Sequence, residues 1–164
     1  MRTRLGVAIA VVVAALAAAW WWTGHDEAAT VRNRLTALAA DINASAGEGL
    51  GSLARAAQIG GYFTPDVVVD LGPGSTPIRG RDTVMAMAAR LQPRTTAFTL
   101  KLADINVALD EAKTSGTVDL TSEFTRRAPG ADDALDAREC ALKVVKADGA
   151  WQIAQITAVD PVRR

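Results

Sequence analysis

The C-terminal half of the chain carries a two-residue alternation that slips once, and that slip constrains the fold more than any other feature. Phe98, Leu100 and Leu102 alternate with Thr99 and Lys101; then Ile105, Val107 and Leu109 alternate with Asn106 and Ala108. Side chains on a strand point to opposite faces in turn, so even positions before Ala103 and odd positions after Asp104 cannot share a face on a regular strand. One extra residue restores the match, and the spacing predicts a long strand bent by a β-bulge near Ala103-Asp104. The next strand keeps clean parity, with Gly116, Val118, Leu120 and Phe124 against Thr117, Asp119, Thr121 and Glu123. A polar loop is expected from Arg126 to Asp136, around Pro129-Gly130. Cys140, Leu142 and Val144 then alternate with Glu139 and Lys143, and Asp148-Gly149 is a hairpin signal. Trp151 to Val159 closes the sheet with apolar residues on both faces, the pattern of a central or doubly covered strand.

Helical spacing precedes the strands. Val31, Leu35, Leu38 and Ile42 fall on one stripe, while Arg32, Asn33, Arg34 and Asp41 take other faces. Asp26 or Thr30 suits the cap. Leu50, Leu53, Ala54 and Ala57 suggest a second helix, ended by Gly60-Gly61. Val67-Val68-Val69 reads as a short strand, Gly72 to Ser75 as a turn, and Pro77 to Arg79 as an edge strand. Gly80 opens a third helix carrying Val84, Met87, Ala88 and Leu91, and Pro93 ends it. The order is helix, helix, short hairpin, helix, then four long antiparallel strands: an α+β domain.

Residues Leu5 to Trp22 are of a different kind. They form eighteen residues without a charge, with Arg2 and Arg4 before them and His25, Asp26 and Glu27 after. As a helix this run spans about 27 Å, close to the roughly 30 Å hydrocarbon core of a bilayer. The arginines predict a cytoplasmic N-terminus, and Trp20-Trp21-Trp22 suits the interface. The expected organisation is a cytoplasmic tip and transmembrane signal anchor over residues 1–24 and an extracytoplasmic domain over residues 25–164. The chain would be single-pass in the inner (plasma) membrane, with its domain in the periplasm or its equivalent. Ala17-Ala18-Ala19 also fits the cleavage site of a signal peptide, and that alternative exports the same domain.

Composition then excludes several classes. The chain is 49% apolar and 22% charged, with formal net charge zero. Disordered and collagenous chains are excluded. A nucleic-acid binder would need phosphate-neutralising charge that is missing here. One cysteine, Cys140, makes no intramolecular bridge; its parity suggests a buried thiol or a bond between chains. The one histidine, His25, lies in the stalk, so no cluster of zinc ligands exists. Asp132-Asp133 with Asp136 lacks the spacing of a calcium loop. No phosphate loop or nucleophile motif is present, and no metal or cofactor is expected.

Three stretches resemble the nuclear transport factor 2-like superfamily, in its SnoaL-like branch. They are Tyr62-Phe63-Thr64-Pro65-Asp66-Val67-Val68-Val69-Asp70, then Pro77-Ile78-Arg79-Gly80-Arg81-Asp82 with Val84 in the apolar slot, and Gly149-Ala150-Trp151-Gln152-Ile153. The resemblance covers about residues 28–160. It implies a cone: a bent antiparallel sheet wrapped around three N-terminal helices, with a cavity between them and, as in many relatives, dimerisation through the sheet. In this chain the transmembrane helix would precede the cone. The family includes ketosteroid isomerases, polyketide cyclases and dehydratases.

Isomerase chemistry needs a carboxylate base in an apolar cavity and an oxyanion hole with a tyrosine. Asp70 is a candidate base, but an ungapped reading from Asp66 puts the isomerase position on Leu71, on the opposite face. The only tyrosine, Tyr62, lies outside the first helix, and a cyclase-type His-Asp pair has no histidine in the domain. Asp104 is a second candidate, because bulges often border sites. Tyr62, Phe98, Phe124 and Trp151 are the candidate lining of an apolar ligand cavity. Two readings follow. One is a non-catalytic binding or assembly module that holds a small apolar ligand in its cone or pairs with a second copy. The other is a cofactor-free SnoaL-type enzyme (an isomerase, cyclase or dehydratase) using an aspartate base. The displaced aspartate and missing histidine lean away from catalysis.

Overall fold

In the computed structural model, residues 26–44, 51–72, 74–91, 97–127 and 134–159 are described (side chains of 51–55, 88–91, 97–98, 127 and 134 excepted). The run Leu5–Trp22 lies outside these residues. Among the described residues, no helix is long and apolar enough to cross a membrane.

The element order is α1 (Glu27–Ala44), α2 (Gly51–Gly60), β1 (Phe63–Asp70), β2 (Ile78–Arg79), α3 (Arg81–Leu91), β3 (Ala97–Leu109), β4 (Ser115–Arg127), β5 (Ala134–Ala147) and β6 (Ala150–Val159). The three helices, the short hairpin and the four long strands occur in the expected order. The polar loop before β5 is shorter than expected, because β4 continues to Arg127 and β5 starts at Ala134. Thr125 and Leu135, Phe124 and Asp136 still pair across the ladder there.

The sheet has six strands in the order β2-β1-β6-β5-β4-β3. One pairing departs from the antiparallel reading: β1 runs parallel to β6, with Val68 opposite Gln155 and Asp70 opposite Thr157. The crossover between them contains the helix α3 and the whole β3–β5 meander, as parallel neighbours require a long connection. Their register shifts between Phe63 and Val68.

The expected bulge is present in β3. Ala103 pairs with Thr121 and Asn106 with Asp119, so two residues of β3 face Leu120 alone. Asp104 adopts a positive φ of 53° there. The last strand lies inside the sheet, between β1 and β5, as expected, but a second bulge corrects the reading of its two faces. Val144 pairs with Ile153 but Lys143 pairs with Gln155, leaving Ala154 extra. Parity therefore switches inside β6. Trp151 and Ile153 face the core before the bulge, and Ile156 faces it afterwards, beside Leu142. What looked like a strand apolar on both faces is one apolar face interrupted by a slip.

The core forms where α1 crosses the concave face from β3 to β6. Val31, Leu35 and Leu38 are buried as their spacing predicted, and Ile42 packs partly exposed at the stripe's end. They meet Leu100, Val118, Leu120, Leu142, Val144, Trp151 and Ile153 from the sheet. Each such side chain contributes about 1.5–3 kcal/mol when fully buried. The far end of α1 is pinned by Asn43, whose amide donates to Leu100 O (2.8 Å) and accepts from Leu100 N (2.7 Å). Asn43 thus takes the place of a neighbouring strand at one residue of the edge strand β3, and masks part of that edge. Gly116 allows the tight β3–β4 turn: a Cβ there would lie 2.6 Å from Ala108 O and 2.6 Å from Leu109 Cδ2.

Candidate functional site

Three charged residues of α1 recur every seven positions: Glu27, Arg34 and Asp41. Seven residues are nearly two helical turns, so the three form one stripe alongside the apolar one, about 21 Å from end to end. Each reaches a different part of the domain. Glu27 sits at the α1 N-terminus, where Trp151 Nε1 donates to Oε2 and Lys146 Nζ to Oε1, both at 2.8 Å. Arg34 donates to Gly61 O at 3.1 Å and lays its guanidinium over the Tyr62 ring, 4.2 Å from the centroid. Asp41 Oδ2 accepts from Tyr62 OH at 2.6 Å and from Gln58 Nε2 at 2.8 Å.

The electrostatics follow from these partners. Tyr62 is only 5% exposed. Burial, and then the hydrogen bond to the Asp41 carboxylate and its charge, push the Tyr62 phenol above its ordinary value of 10. The neutral phenol is held as a donor, which opposes both proton donation to a substrate and conversion to a phenolate. Glu27 moves the other way. The hydrogen bond from Lys146 lowers its carboxyl first, then that from Trp151, against a smaller desolvation effect. In the β3–β4 turn, the Thr114 N–H lowers Asp110 most, with Ser115 and the Thr114 hydroxyl adding to it.

Tyr62 and Trp151 line a common space with Val31, Arg34, Leu35, Val144, Gln152 and Ile153. Its volume is about 10 Å³, room for one water and not for an apolar ligand. At this place the two aromatics belong to a packed core. Phe124 is elsewhere, paired with Leu100 and Asp136 and 43% exposed. Phe98 occupies β3 opposite Arg126; its side chain lies outside the described residues. Of the three aromatics whose side chains are described, Tyr62 and Trp151 meet and Phe124 stands apart.

The two candidate bases lie apart as well. Asp70 Oδ1 accepts from Gly72 N at 3.0 Å, and Ser75 closes the same turn through Gly72 O at 2.7 Å, so Asp70 holds a turn. Asp104 is exposed on the bulge, where Thr121 Oγ1 donates to Oδ2 at 3.4 Å, a long contact. Thr121 alternates with buried Leu120 and Ser122, which places the Asp104 carboxylate on the outer face of the sheet. Cys140 is half-buried, with Sγ 3.5 Å from Ser122 Oγ. Among the described residues, no group of three metal-ligating side chains gathers.

In the sequence, Arg34 and Asp41 stand only off the apolar stripe and Glu27 only beyond the apolar run, so the three are not joined as one stripe. The seven-residue spacing, next to a lone tyrosine and a tryptophan of the last strand, was the available signal.

Comparison with known proteins agrees with this architecture. The family model described as a SnoaL-like domain matches residues 40–157. No curated protein matches the sequence. Among solved structures, a ketosteroid isomerase-like protein from Erwinia carotovora atroseptica SCRI1043 is similar, with TM-score 0.61, 18% identity, and 84% of this chain and 99% of that chain covered. A Novosphingobium aromaticivorans DSM 12444 protein, provisionally named a scytalone dehydratase, aligns with TM-score 0.66 at 14% identity over 82% of this chain and 92% of that one. An NTF2-like protein with a cystatin-like fold from the same species gives TM-score 0.64 at 12% identity, covering 91% and 90%. At these identities the likeness is one of fold. With the family model spanning most of the bent sheet and its helices, the chain belongs to the SnoaL-like domain family.

Proposed function

We propose that this chain is a membrane-anchored, extracytoplasmic assembly module without a catalytic role. Its uncharged run over residues 5–22 crosses the bilayer and its SnoaL-like domain is displayed outside. The observation that carries the non-catalytic part is the closed Asp41–Tyr62 pair. The domain's one tyrosine is buried, donates its proton to a carboxylate at 2.6 Å and is shifted away from acid–base work at neutral pH. Asp70 is engaged in a turn, and Asp104 lies on the outer face. An enzyme of the isomerase kind needs a free carboxylate beside an apolar cavity. The space between Tyr62 and Trp151 takes about one water, which favours assembly over storage of an apolar ligand there.

The outer face of the sheet is the surface proposed for pairing with a second copy. Across β4, β5 and β6, Ala141 stands between Asp119 and Thr157, and Lys143 between Thr117 and Gln155, so this face interleaves small polar side chains with charges of both signs.

Alkaline carbonate extraction of membranes carrying the full chain tests the anchor. The protein is expected in the pellet, and intact protein in the supernatant refutes the anchor. Cross-linking of the full chain and of Ala141→Arg in the membrane tests the assembly. A dimer lost in the variant supports it; a monomer in both refutes it.

A further inference from the structure

We infer that the domain stands on the bilayer with the end carrying the β3–β4 turn and the β5–β6 hairpin toward the lipid, and with its apolar rim pointing away. This orientation rests on the anchored reading above.

Four residues, Thr23 to Asp26, separate Trp22 from Glu27. A fully extended chain covers at most about 3.6 Å per residue, so Glu27 stays within about 18 Å of the end of the apolar run. Glu27 is fastened to the sheet through Lys146 Nζ and Trp151 Nε1, each at 2.8 Å. Lys146 N–H donates in turn to Thr114 O at 2.8 Å. The α1 N-terminus, the turn over residues 110–114 and the hairpin at Asp148-Gly149 therefore form one end of the domain, and the short tether holds that end near the membrane.

Among the described residues, four of the five exposed large apolar side chains lie at the other end, the fifth being Met87 on α3. Strand β4 has 13 residues and spans about 43 Å at 3.3 Å per residue, which separates the two ends along the sheet. Leu135 near the start of β5, Phe124 near the end of β4 and Val159 at the end of β6 are 66%, 43% and 38% exposed. Leu71, 51% exposed, follows Asp70, which pairs with Thr157 at the same end. Exposed apolar residues would ordinarily be the first guess for lipid contact; here the tether places the opposite end nearest the bilayer.

The near end is acidic, with Asp26, Glu27, Asp110, Glu111 and Asp148 against Lys113 and Lys146. Such a surface is repelled by an anionic leaflet. The chain tether, not adhesion to lipid, sets the distance.

The test uses the full chain in phosphatidylcholine nanodiscs containing a headgroup-labelled energy acceptor, in a Cys140→Ser background. A donor dye is placed at Glu111→Cys, in the β3–β4 turn, or at Leu135→Cys, at the rim; both positions are exposed. Energy transfer several-fold stronger from position 111 than from position 135 is expected. Equal transfer, from a domain lying on its side, or stronger transfer from 135, overturns the orientation while leaving the anchor standing. Protein that fails to enter the discs refutes the anchor and the orientation with it.

Discussion

Asp41→Ala removes the acceptor of the Tyr62 phenol. Tyr62 is 5% exposed and its hydroxyl donates to Asp41 Oδ2 at 2.6 Å. An unsatisfied buried donor costs about 1–3 kcal/mol, and with Gln58 also losing its bond the expected destabilisation is about 2 kcal/mol. Tyr62→Phe is milder, about 1 kcal/mol, because Asp41 keeps Gln58 and is itself only half-buried. In the double variant no orphaned hydroxyl remains, so its cost is about 2 kcal/mol, not the sum of the two. The coupling is then about 1 kcal/mol, within the range for residues in direct contact. Urea denaturation of the full chain in mild detergent, followed by far-UV circular dichroism, reads this out. For an m-value of about 2 kcal/mol/M, Asp41→Ala lowers the midpoint by about 1 M. Single-variant losses that add to within about 0.3 kcal/mol in the double variant would show that the two side chains do not act as a pair, and the reasoning would fail.

Two further outcomes follow from the same geometry. Glu27 is lowered in the folded state, so its contribution to stability is complete above its ordinary value of 4.5 and lost as pH falls through the lower folded value. Glu27→Gln should flatten the acid limb of a stability-versus-pH curve at a cost of about 1 kcal/mol near neutrality, and an unchanged acid limb would show that the Lys146 and Trp151 contacts carry no energy. Gly116→Ala brings a Cβ to 2.6 Å from Ala108 O, and the overpacking should cost about 1–3 kcal/mol in a thermal or urea melt; a neutral substitution would refute the close approach.

Much of the fold was legible because local patterns encode it. The parity slip at Ala103-Asp104 located a bulge that the ladder contains, and the stripe Val31, Leu35, Leu38 located the buried face of α1. The same rule misread β6, since a slip at Ala154 within a short strand looks like apolarity on both faces. The parallel pairing of β1 with β6 joins residues almost ninety positions apart, and no local pattern specifies such a partner. The candidate site was less legible. Tyr62 and Trp151 were singled out as apolar lining, yet their polar atoms are what tie them to α1. Asp70 and Asp104 drew attention as carboxylates near a presumed cavity, and a carboxylate that holds a turn looks the same in sequence as one that takes a proton.

Tyr62 is the chain's only tyrosine, so an ultraviolet titration of phenolate formation reports on it alone. The central claim is that this phenol is locked to Asp41 as a structural donor. The claim predicts ionisation above pH 10 in the folded protein, with a shift back toward 10 in Asp41→Asn. A folded-state Tyr62 that titrates at or below 10, unmoved by Asp41→Asn, would contradict it and leave the phenol free for acid–base work.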